Sequence, residues 1–101
     1  MAFLYITEYE HVAQAAGGNM NVGRELAVAT QVVAIGGGSL QSAAFNIRTK
    51  MVRLHSDAIC SISFGTNPTA TTSTPRMAAN QTEYFGVAPE SSLKVAVITN
   101  T

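Results

Sequence analysis

Between Ala58 and Phe64 the chain alternates strictly: Cys60, Ile62 and Phe64 are apolar, while Ser61 and Ser63 carry hydroxyls. Successive side chains of a strand point to opposite faces, so this period of two makes one apolar face and one polar face. That is what a half-buried antiparallel strand needs. Other short runs repeat the theme. Phe3 to Thr7 is apolar and aromatic. Leu26 to Ile35 is rich in β-branched residues, with Leu26, Val28, Thr30 and Val32 on one face. Ala43 to Ile47 is a weaker strand with Phe45 and Ile47 on one face, and Met51 to His55 places Val52 and Leu54 together. Arg76 to Ala79 is a short strand or its approach. Thr82 to Ala88 sends Tyr84 and Phe85 to opposite faces, one to the core and the other to an interface. Leu93 to Thr99 is apolar on both sides, as in a strand covered on both faces.

Turn signals separate these runs: Gly36-Gly37-Gly38-Ser39, the loop from Gly65 to Pro75 with its Asn67-Pro68 step, and Pro89 to Ser92. Short strands, frequent turns and no long helical period predict an all-β fold, a small antiparallel β-sandwich or barrel-like domain. The 101 residues fit one such unit. Residues 1–25 read as an N-terminal strand or arm followed by a loop, and residues 26–101 as a single all-β domain. Within the first part, Glu8 to Ala16 predicts a short helix with Val12, Ala15 and Ala16 on one side, ended by Gly17-Gly18-Asn19. Asn19 to Gly23 reads as loop. Phe3, Tyr5 and Tyr9 belong either to an arm or edge strand docked on a neighbour or to an ordinary first strand of the sandwich, and the residues leave both open.

Charge narrows the function classes. Only 12% of residues are charged, against about 25% in typical domains, while 47% are apolar. Such a chain gains from burying surface against other chains, and its modest size points the same way. The net charge is zero and no run of Lys or Arg occurs, so the basic footprint of a nucleic-acid binder is missing. No apolar run spans a bilayer, and the first ten residues, with Glu8 and Glu10, are not expected to be a signal peptide. A single cysteine excludes an internal disulfide.

The strongest catalytic candidate is His55-Ser56-Asp57-Ala58-Ile59-Cys60. A cysteine nucleophile needs a base within hydrogen-bond reach. On a strand His55 and Asp57 share a face, Cys60 takes the other, and His55 and Cys60 lie roughly 16 Å apart at about 3.3 Å per residue. Cys60 is therefore expected in the core beside Ile62 and Phe64, with Asp57 shaping a turn. His11, His55, Asp57, Cys60 and the glutamates show no metal-ligand spacing. The glycine run lacks the lysine and helix of a phosphate loop. Glu8 and Glu10 share parity and are expected on a solvated face, and Asn80-Gln81-Thr82 matches a glycosylation acceptor with no export signal behind it. No catalytic, cofactor-binding or metal site is predicted; the expectation is a non-enzymatic module that works through surfaces.

The run from Met51 through Ala-Ile-Cys-Ser-Ile-Ser-Phe-Gly-Thr-Asn-Pro-Thr-Ala to Thr71 resembles small virion structural proteins of tailed bacteriophages. So do Arg76 to Val87, the final Lys94-Val-Ala-Val-Ile strand, the opening Tyr5-Ile-Thr-Glu-Tyr and the middle Gln41-Ser-Ala-Ala-Phe-Asn. The resemblance covers most of the chain without a chemically diagnostic motif. It implies a many-copy particle protein, foremost a capsid decoration or cement protein on the capsid surface. Its partners would be the major capsid protein and copies of itself as a homotrimer, with no nucleic acid, membrane or cofactor. Phe3, Tyr5, Tyr9 and Tyr84 are then the candidate interface residues. The alternatives are a head-to-tail connector or a tail or fibre component. A small host-binding module using the Thr66 to Pro75 loop ranks below them, because that loop has no aromatic platform for a glycan.

Overall fold

A computed structural model describes residues 2–88 and 92–100, with Ala15 and residues 19–22 described by backbone alone. Ten strands follow in order: β1 (Ala2–Tyr9), β2 (Val12–Ala15), β3 (Gly18–Gly23), β4 (Ala29–Ile35), β5 (Leu40–Gln41), β6 (Met51–Ser56), β7 (Cys60–Gly65), β8 (Arg76–Met77), β9 (Thr82–Gly86) and β10 (Lys94–Thr99). The fold is all-β, and no helix occurs among the described residues. Two four-stranded antiparallel sheets, ordered β4-β1-β6-β9 and β5-β10-β7-β8, pack as a sandwich, and β2 and β3 form a separate hairpin.

The core is where the alternating runs meet. Leu4, Ile6, Val33, Ile35, Val52 and Leu54 project from the first sheet onto Cys60, Ile62, Met77, Val95 and Val97 of the second. Phe45 closes one side from the segment between β5 and β6. Burying each large aliphatic side chain is worth about 1.5–3 kcal/mol, so this layer is the main stabilising element. Phe85 enters from β9 and packs on Phe64 at a ring-centroid distance of 5.2 Å.

Several expectations are corrected. Ala2–Tyr9 is neither an arm nor an edge strand; it lies between β4 and β6 in the middle of the first sheet. It joins the same sandwich as residues 26–101, so no separate N-terminal unit ends at residue 25. The helix expected from Glu8 is instead the end of β1 followed by β2, and the loop expected over residues 19–23 lies in β3. β4 begins only at Ala29 and buries Val33 and Ile35, so the Leu26, Val28 and Val32 set does not reach the core; Leu26 is 94% exposed. Residues 43–47 are not a strand, and Phe45 and Ile47 part company: Phe45 is buried and Ile47 is 68% exposed. The Pro89 to Ser92 turn falls largely outside the described residues.

The sharpest departure is Glu8, expected in water but fully buried. Its carboxylate accepts from the Asn46 amide at 2.7 Å and the Thr49 hydroxyl at 2.8 Å on one oxygen. The other oxygen accepts from the Gln31 side-chain amide at 3.0 Å. Gln31 also receives the Ala43 amide at 2.9 Å. These bonds tie the 43–49 crossover to β1 and β4. A buried carboxylate must be satisfied this way or the sheet would lose several kcal/mol. Glu10 does not share that face; it sits beyond the strand end, 3.3 Å from Arg48.

Candidate interaction face on the first sheet

The two sheets differ on their outer sides. On the second sheet, Ser61, Ser63, Ala96 and Gln41 point outward, and the 66–75 loop folds back across them. Gln41 donates to Asn67 Oδ1 at 2.9 Å and to the Pro68 carbonyl at 2.8 Å. The Ala70 amide donates to Ser39 Oγ at 2.9 Å. Asn100 donates to Ser61 Oγ at 2.7 Å and to the Thr72 carbonyl at 3.3 Å. Under this cover Ser61, Ala96 and Ala70 are buried. The Thr/Ser/Pro loop is thus a lid on its own sheet, and the hydroxyl face predicted for β7 is enclosed.

On the outer side of the first sheet the hairpin base covers the Tyr9 end, and among the described residues no loop is hydrogen-bonded across the rest. Its register sets Val32, Tyr5, His55 and Thr82 in one cross-strand row, and Thr30, Thr7, Arg53 and Tyr84 in the next. Val32 is 55% exposed, and Tyr5 and Tyr84 are each 41% exposed. Phe3 stacks edge-on against Tyr5 at 6.4 Å, and Tyr5 lies 6.4 Å from the His55 ring. His55 Nδ1 is 2.8 Å from Thr82 Oγ1, which fixes the ring in place. Arg53 is the only permanent charge in these two rows, and neither holds an acidic side chain. Aromatic, β-branched and poor in charge, the face has the make-up of an interface centre.

Of the four candidate interface residues, Tyr5 and Tyr84 stand exposed on this face and Phe3 lies half-buried beside them. Tyr9 is corrected: it is buried. Gly23 lies so close to its ring that a β-carbon there would enter the ring, which is why the position takes glycine. The Tyr9 hydroxyl donates to Glu25 Oε2 at 2.9 Å. Burial, aided by the Glu25 carboxylate, pushes the Tyr9 phenol above its usual range. Tyr9 therefore seats the base of the β2–β3 hairpin. Sequence reasoning missed Val32 because apolar residues fill both faces of β4; only pairing with β1 decides which set looks outward.

The nucleophile candidates do not meet. His55 lies on the outer face of the first sheet, while Cys60 is buried between the sheets on β7. Asp57 is exposed in the turn joining them, its amide donating to the Phe3 carbonyl at 3.1 Å. Burial pushes the Cys60 thiol up, opposed by the Ser56 hydroxyl beside it. A raised thiol pKa is the reverse of what a cysteine nucleophile requires. Among the described residues no group of three or more His, Cys, Asp or Glu stands together as a metal site, and no helix is long and apolar enough to cross a membrane. Asn80, the glycosylation candidate, turns the chain from β8 to β9 at a φ of 58°, a left-handed conformation that asparagine tolerates better than most residues. Comparison with known proteins finds no match: no family model, curated protein or solved structure corresponds to this chain.

Proposed function

We propose that this chain is a structural protein of a tailed-bacteriophage virion, a capsid decoration or cement protein that bridges capsid subunits and stabilises the assembled shell. The observation that carries the reading is the uncovered outer face of the first sheet, with Tyr5, Val32 and Tyr84 exposed in register while the chain's own loop covers the second sheet. The similarity of residues 51–71 and 76–87 to small virion proteins supplies the particle. The low charge supports a life spent against other protein surfaces. A ligand that binds only the assembled shell stabilises it by mass action, contributing about 2.7 kcal/mol per site at a free concentration a hundredfold above Kd.

The deciding measurement is the number of copies per purified particle, by quantitative mass spectrometry against the major capsid protein. A ratio near one to one supports a shell-wide decoration protein. A few copies per hundred capsid proteins redirects the assignment to a connector, tail or fibre component, and no copies on the particle ends the virion reading. With a one-to-one ratio, Tyr5→Ser combined with Val32→Ser is expected to abolish retention on shells while the variant stays folded.

A further inference from the structure

The β2–β3 hairpin and the edge strand β9 each lack something the other has. The hairpin pairs Ala15 with Gly18, Gln14 with Asn19 and Val12 with Gly23 around a tip at Ala16 and Gly17, where a φ of 99° requires glycine. None of its described side chains belongs to the core cluster, and Gln14, Ala16, Gly17 and Gly18 are exposed. The protein is 44 Å long but only 26 and 21 Å across. An eight-residue strand spans about 26 Å, so one strand length alone does not make up the long dimension. A two-stranded hairpin with no third layer is marginal in water.

β9 presents the opposite deficiency. Ser56 N donates to the Gln81 carbonyl at 3.1 Å and Val87 N to the Lys50 carbonyl at 2.9 Å. Those bonds set the phase of the β6–β9 ladder. Gln81, Glu83, Phe85 and Val87 turn their main-chain groups to β6, while Thr82, Tyr84 and Gly86 turn theirs outward. The other sheet edges are protected. β5 and β8 are two residues long, and β4 is flanked by the Gln31 bonds to Ala43. Short or covered edges are how β proteins avoid unwanted pairing, whereas β9 runs five residues and, among the described residues, no backbone hydrogen bond outside the ladder reaches Thr82, Tyr84 or Gly86. Charge also matches: Glu83 on β9 and Arg24 at the hairpin base have no ion-pair partner among the described residues.

We propose that copies of this chain join by strand addition, the β2–β3 hairpin of one copy pairing with the free edge of β9 in the next. Every copy carries one hairpin and one edge, so each contact is head-to-tail and a closed ring satisfies all of them. Main-chain hydrogen bonds supply the affinity, as in other strand-addition contacts. The first sheet is thereby extended, and its aromatic face becomes continuous with the hairpin of the neighbour. This inference concerns the purified protein alone and stands or falls apart from the virion reading.

The test uses two variants, each lacking one half of the contact. In the first, residues 13–22 are replaced by an Asn-Gly turn, a favoured two-residue hairpin connection, which removes the hairpin and leaves β9 intact. In the second, Tyr84→Pro removes an amide that points away from β6, so the internal ladder survives while the edge is blocked. Gly86→Pro blocks the same edge should the Tyr84 variant fail to fold. Native mass spectrometry and light scattering are expected to find wild-type oligomers, monomers for each variant alone, and heterodimers with a single junction when the variants are mixed. In the wild-type oligomer, the amides of Thr82, Tyr84 and Gly86 are expected to exchange more slowly than in the hairpin-less variant. A monomeric wild type, variants that oligomerise alone, or a mixture that stays monomeric would each overturn the proposal.

Discussion

The first and second sheets are built from similar strands, yet they finish their outer faces in different ways. The second uses its own chain: the 66–75 loop, held by Gln41 and Asn100, closes over Ser61 and Ala96. The first leaves Tyr5, Val32 and Tyr84 in contact with water. One sheet shields its outer face with its own chain, and the other leaves three large side chains of its outer face exposed. The contrast sets Tyr5, Val32 and Tyr84 together on one sheet surface, whereas the other exposed large apolar residues, Leu26, Leu40 and Ile47, are scattered elsewhere.

The largest effect should come from the inner side of the bare sheet. Leu54→Ala removes a fully buried side chain at the centre of β6 and is expected to lower stability by about 2–5 kcal/mol in urea unfolding. Glu8→Ala orphans the Asn46 amide and the Thr49 hydroxyl and removes one of the two acceptors of the Gln31 amide, with an expected loss of about 2–3 kcal/mol. Gly23→Ala drives a methyl into the Tyr9 ring at the hairpin base, where overpacking costs about 1–3 kcal/mol; thermal unfolding checks it.

Removing the second sheet's cover probes the contrast directly. Gln41→Ala together with Asn100→Ala is expected to cost about 1–2 kcal/mol and to expose the 66–75 loop to limited proteolysis. Tyr5→Ser on the bare face should change stability least, by about 1 kcal/mol or less, because the ring is 41% exposed and loses ring contacts with Phe3 and His55 but no place in the core. A loss above 2 kcal/mol from that change would place Tyr5 in the core and erase the distinction between the two outer faces.

Where both faces of a strand differ in polarity, the sequence was readable. Met51 to Ser56 and Cys60 to Phe64 show period two because one side meets the core, and Val95 to Val97 is apolar throughout because the loop covers its other side. The failures have equally local causes. β4 carries apolar residues on both faces, so its inward set is chosen by partners on β1 twenty-one or more residues away. Gly18 to Gly23 holds only two apolar residues, Met20 and Val22, among glycines and asparagines, a composition that reads as loop. Glu8 looked solvated because its donors lie at residues 31, 46 and 49, far along the chain. The loop's role was hidden in Pro68 and Ala70, whose burial comes from the second sheet and not from any neighbour in sequence. Of the interface candidates, Tyr5 and Tyr84 were legible as aromatics, but the face each takes is set by strand pairing, and the seating of Tyr9 beneath Gly23 depends on where the hairpin returns.

The first strand of the chain and the last each occupy an interior position, β1 between β4 and β6 and β10 between β5 and β7. A ribosome extruding this polypeptide would therefore release strand after strand with no finished second sheet to dock on until residue 99 had emerged. Long-range pairing of this kind places folding on the slow side, about milliseconds to seconds for β topologies. During that interval the alternating segments that later form the core stay open to one another and to neighbouring chains. Dense synthesis of the protein would then favour growth conditions and chaperones that keep nascent chains apart until the last strand slides home.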